Sequence, residues 1–137
     1  MNTSRIAFVL IALNGLIALG FGLLGLAYPQ ETAESVSLEP QNAFGFGEIR
    51  ALYGGMWAAM GLLLLGSLRP LATQPHSPHT ERVRTIGLCW LGLPLGRGLG
   101  AVMQGTEGGP TIAFLLAEVV MVVTLLTGLT LLQRART

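Results

Sequence analysis

The apolar positions of this chain gather into four stretches, at 6–27, 49–68, 83–103 and 111–132, separated by short polar segments. Each is about 20 residues long, the length an α-helix needs to cross ~30 Å of hydrocarbon at ~1.5 Å per residue. The pattern predicts an all-α fold: an integral membrane four-helix antiparallel bundle forming one domain over residues 1–137, with no internal repeat. Arg5 precedes the first stretch as the basic region of a signal peptide would. Its apolar run, however, exceeds the roughly 7–15 residues of such segments and no Ala-x-Ala site follows, so it is expected to be a retained helix. Proline marks the boundaries. Tyr28-Pro29 is expected to close the first helix, Arg69-Pro70 the second, and Gly109-Pro110 to open the fourth.

The polar segments carry an orientation signal. Arg5, Arg69, Arg82, Arg84, Arg134 and Arg136 all fall in the N-terminus, the second loop and the C-terminus, which an even number of spans puts on one side. Short cytoplasmic segments are enriched in arginine, so both termini and the 70–80 loop are expected in the cytoplasm of a multi-pass inner (plasma) membrane protein. The opposite side carries Glu31, Glu34, Glu39 and Glu107. Its first loop, 29–47, has room for a short interfacial turn, and Phe44-Gly45-Phe46-Gly47 resembles an aromatic anchor leading into the second span.

Composition agrees with that picture and removes several classes of function. Hydrophobic residues make up 51% and charged residues 11%, against roughly 25% charged in soluble domains. The net charge is +1, without a single lysine or aspartate, so no basic field for DNA or RNA exists. Cys89, the sole cysteine, is expected to be a small apolar residue facing lipid or a neighbouring helix. His76 and His79 lack a third metal ligand, Gly96-x-Gly98-x-x-Ala101 lacks the strand a dinucleotide fingerprint requires, and Asn2-Thr3-Ser4 is a sequon on the predicted cytoplasmic side. No cofactor is expected. Neither is an enzyme, since no nucleophile is paired with a base.

Helices in lipid associate largely through small residues, and this chain has 19 glycines. Gly92, Gly96 and Gly100 form a stripe on the third span; Ala18 and Gly22 on the first, and Gly55 and Ala59 on the second, repeat the spacing. All three rows are expected to be contacts inside the bundle, with a homodimer face as the alternative. Pro94 should leave the Trp90 carbonyl without its usual helical partner and kink the third span.

Ionisable residues within a span are costly and call for partners. Arg97 lies about 9 Å below the outer end of the third span and Glu118 about 12 Å below that of the fourth. The two helices are antiparallel and joined by the short 104–109 connection, so an Arg97–Glu118 ion pair is expected. Glu48 and Arg50 open the second span on the same side, followed by Tyr53 and Trp57 on the face of Arg50. With Gln104 and Glu107 these residues make the outer half polar, whereas the inner half holds little beyond Asn14 and a few threonines. One reading is that two ion pairs fix helix register. The other is an outward-facing pocket, built on Glu48, Arg50, Tyr53, Arg97 and Glu118, for an anionic headgroup, a quinone-like carbonyl or a small carboxylate.

Gly47-Glu48-Ile49-Arg50-Ala51-Leu52-Tyr53-Gly54-Gly55, then Gly96-Arg97-Gly98-Leu99, Gly108-Gly109-Pro110 and Glu118, resemble the domain of unknown function 4345 family of four-helix bacterial membrane proteins. The resemblance covers nearly the whole chain and implies no activity; it implies that Glu48, Arg50, Tyr53, Arg97 and Glu118 match the family's polar positions. Glu107 stands where that family often has an aspartate. The expected function is therefore a non-enzymatic accessory subunit, or a binder of a lipid or small amphiphilic ligand, with membrane lipids and a membrane protein or second copy as partners. The alternative is a small proton-coupled transporter, or a subunit of one, using Glu118.

Overall fold

The computed structural model of the protein describes residues 3–73, 78–105 and 109–135. Helix α1 spans Thr3–Ala27, α2 Pro29–Ser35, and α3 Ala43–Ile49; a π-helical segment, Arg50–Met56, leads without a break into α4, Trp57–Thr73. Helices α5, Pro78–Gln104, and α6, Gly109–Arg134, complete the chain. No strand occurs among the described residues. Among the described residues, four helices are long and apolar enough to cross a membrane: Thr3–Ala27, Ala43–Thr73, Pro78–Met103 and Ile112–Arg134. Large apolar side chains such as Leu16, Leu23, Leu62, Leu95 and Val120 stand exposed on them, as a lipid solvent permits.

The proline signals act in three ways. Ala27 ends α1, and Pro29 begins α2, where a missing N–H costs nothing. Pro110 sits in the first turn of α6. Pro70 does not close its helix: it lies inside α4, which continues to Thr73. There it lacks the N–H that would bond the Gly66 carbonyl, and the helix runs on for only one further turn. The segment between α1 and α3 is more built than a turn. Leu38 N–H donates to Ala33 O at 2.8 Å and Ser37 N–H to Glu34 O at 3.0 Å, with Ser37 at φ 58°, the Schellman pattern that ends a helix on a left-handed residue. Asn42 then caps α3, its Oδ1 accepting from Gly45 N–H at 3.0 Å.

Helix α1 packs on α4 and α6, while α5 packs on α6 and α4. The α1–α4 seam is a backbone-to-backbone approach: a Cβ at Gly22 would overlap Ala58, one at Gly25 the carbonyl of Tyr53, and one at Gly61 the backbone of Leu19. Ala18 is fully buried beside them. The row that the second helix brings to this seam is Gly54, Ala58 and Gly61 rather than Gly55 and Ala59; Ala59 is exposed. The glycine stripe of α5 corrects the sequence reading. Gly92 and Gly96 are exposed, and a Cβ on either would meet nothing within 4 Å. Helix α5 instead turns Val83, Ile86 and Trp90 inward, with Leu91 and Leu93 packed against the core.

The core is concentrated at one end. Ala7 and Ile11 of α1, Leu64 and Leu71 of α4, Val83 and Ile86 of α5, and Leu125, Leu129 and Leu132 of α6 are buried together near the ends that carry the arginines. Trp57 and Trp90 stack above them, centroids 5.5 Å apart and rings inclined by 24°, and Trp90 Nε1 donates to Met60 Sδ at 3.0 Å. Buried polar residues interrupt this half: Ser67 Oγ donates to Leu63 O at 2.7 Å, and Asn14 pairs with Thr124. Asn14, 3% exposed, donates to Leu10 O and to Thr124 Oγ1, and its Oδ1 has no partner among the described residues.

Candidate functional site

Above the tryptophan stack the helices part around a cavity of about 320 Å³. Helix α1 contributes Ile17 and Phe21, and the π-helical segment Leu52, Tyr53 and Met56. Trp57 closes it from below, Leu93 and Arg97 line the α5 side, and Phe114, Ala117, Glu118 and Met121 the α6 side. Val36, just past α2, reaches it from the connecting segment. The wall is apolar except at Tyr53, Arg97 and Glu118.

The aromatic rings brace one another. Phe21 meets Trp57 edge-on at 5.3 Å and Tyr53 edge-on at 6.4 Å, a geometry that lets ring edges face ring faces. The guanidinium of Arg97 lies over Phe114, 5.4 Å from its centroid. Three helices thereby fix the polar groups in place, because Tyr53 is held by α1, Arg97 by α6, and Glu118 by α5.

Arg97 and Glu118 form the ion pair that the antiparallel geometry predicts. Arg97 Nε donates to Oε2 at 3.0 Å and Nη2 to Oε1 at 2.7 Å, a side-on bidentate arrangement that a planar guanidinium and a carboxylate make well. The two side chains are unequally shielded, Arg97 being 26% exposed and Glu118 8%. Of five guanidinium N–H groups, two are directed at Glu118; among the described residues the others meet no acceptor.

Glu48 and Arg50 do not join this site. Both are exposed, neither lines the cavity, and they form no ion pair among the described residues. Two residues apart on a helix, they point in different directions. Arg50 Nε instead donates to Leu26 O at 3.4 Å, a carbonyl in the last turn of α1 that lacks an intrahelical donor. Of the two register-fixing pairs expected, one is present and the other is replaced by a helix-end contact. The Glu107 part of the expected cluster, and the side chain of Gln104, lie outside the described residues. So does His76; among the described residues no three His, Cys, Asp or Glu side chains gather where a metal could sit.

The cavity holds Tyr53, Arg97 and Glu118 of the pocket expected from the sequence, and Trp57, which the sequence placed beside Tyr53, lines it without Arg50; Phe21 and Phe114, which complete its aromatic wall, were not singled out. Their signal was available only as aromatic residues at the depth of Arg97 and Glu118, and such residues are more commonly core. The family model described as a domain of unknown function (DUF4345) matches residues 6–129, which takes in every residue of the cavity. No curated protein and no solved structure matches the chain.

Proposed function

This chain belongs to the DUF4345 family, and because that family brings no activity with it, we propose from the site alone that the protein is a non-enzymatic membrane protein that binds a lipid or small amphiphile. The observation that carries the reading is the cavity: about 320 Å³ of apolar and aromatic wall with one ion pair and one tyrosine. That volume lies at the lower end of the roughly 300–1,000 Å³ of small-molecule sites, which mix apolar walls with a few placed polar groups in the same way. It suits a single head with one chain. In this reading Arg97 and Tyr53 hold the oxygens of the head, Glu118 holds Arg97, and Ile17, Leu52, Leu93 and Met121 meet the hydrocarbon. The helices form a four-helix antiparallel bundle in the plasma membrane with both termini in the cytoplasm, so the cavity belongs to its outer half; the arginine asymmetry supports that orientation.

Mass spectrometry of lipids retained by the purified protein tests the proposal. A bound amphiphile is expected with the native chain and is expected to be lost from Ala117→Phe, which places a ring in the cavity. Equal retention by both proteins would refute the cavity as the binding site.

A further inference from the structure

We infer that the cavity selects an uncharged ring-headed carbonyl compound of the quinone type over an anionic amphiphile; this rests on the reading of the cavity as a binding site. The first argument is charge. Glu118 already neutralises Arg97 through two hydrogen bonds at 2.7 and 3.0 Å. A carboxylate or phosphate head arriving at the same guanidinium would place a second negative charge beside a carboxylate that is 8% exposed. Like charges sharing one cation in a low-dielectric site repel strongly. A neutral carbonyl accepts from the remaining guanidinium N–H groups and brings no charge. Both members of the pair line the cavity, and Arg97 is the more open of the two.

The second argument is the shape and chemistry of the wall. Phe21, Tyr53, Trp57 and Phe114 surround the space, and Trp57 is backed by Trp90, so a flat ring finds faces and edges to pack against. Tyr53 and Arg97 stand on different helices of this wall. Two donors on separate elements match a ring with two carbonyl oxygens better than a single compact headgroup.

The test uses the full chain in nanodiscs and its own tryptophans. Both lie at this site, Trp57 in the wall and Trp90 stacked on it. Two quenching probes are titrated at neutral pH: decyl benzoquinone, which is neutral, and bromo-undecanoate, which is anionic. Saturable quenching by the quinone is expected, with weaker, non-saturating quenching by the bromo acid. Tyr53→Phe keeps the ring and removes one donor, and is expected to weaken quinone binding by about fivefold, the effect of one hydrogen bond. Tighter saturable binding of the bromo acid would overturn the selectivity and leave the binding site standing. Quinone binding indifferent to Tyr53→Phe would overturn the placement of the head. Saturation by neither probe would overturn this inference, and if no lipid is retained by the native chain either, the binding proposal falls with it.

Discussion

Arg97 and Glu118 are joined side-on by two hydrogen bonds across the seam between α5 and α6, with the carboxylate almost completely shielded and the guanidinium about one quarter open. The pair does two things at once. It neutralises charges on two helices, and it turns a cation toward a cavity that is otherwise almost wholly apolar.

Removing either partner strands the other. Arg97→Leu and Glu118→Leu are each expected to destabilise the protein by about 3 kcal/mol, at the lower end of the range for broken buried pairs because Arg97 is partly open. The double variant is expected to lose less than the sum of the two. Denaturation in detergent, run as a double-mutant cycle, measures the coupling; simple additivity would mean the two side chains are independent.

The glycines divide into two groups with opposite expectations. Gly22→Leu and Gly61→Leu drive side chains into the backbone of the facing helix and are expected to cost at least 1–3 kcal/mol, roughly the penalty of overpacking. Gly92→Leu and Gly96→Leu point into open space and are expected to leave thermal stability in detergent unchanged. A similar loss at all four positions would contradict the packing described.

Ser37 holds a left-handed conformation at the end of α2, a position where glycine avoids the steric cost borne by other residues. Ser37→Gly is expected to stabilise the protein by about 0.5–1 kcal/mol after allowing for the extra freedom of the unfolded chain. A lower melting temperature for the variant would show that the Schellman turn is not formed.

The proposed orientation makes a labelling prediction. In a Cys89→Ala background, Glu34→Cys should react with an impermeant maleimide on intact cells, and Thr73→Cys only after permeabilisation; both positions are exposed. The reverse pattern would invert the topology.

The apolar stretches announced the four long helices because the length and composition demanded by a bilayer are plain along the sequence. Depth and antiparallel connection were enough to pair Arg97 with Glu118. Which small-residue row faces a neighbour was not legible. Gly54, Gly55, Ala58 and Ala59 offer two rows one residue apart, and spacing alone does not choose between them. On α5 the aromatic Trp90 and the branched Val83 and Ile86 took the inward face, leaving the glycines outside. Arg50 was equally opaque, since its partner is a backbone carbonyl at the end of another helix, a group every residue carries. The polar groups marked the depth of the cavity, but its apolar wall had no sequence signature because a void is defined by what five segments of chain fail to fill.

The π-helical segment has a consequence for the lineage of this chain. Closing its hydrogen bonds five residues apart rather than four, Arg50–Met56 turns through less angle per residue than the α-helices on either side. It holds more chain per turn than an α-helix would, as if one residue had been added. A relative shorter by one residue there can run as plain α-helix, with Trp57, Gly61 and Leu64 still in phase with α1 and α5. Insertions and deletions therefore have a place in this helix where they alter the upper wall of the cavity and spare its floor.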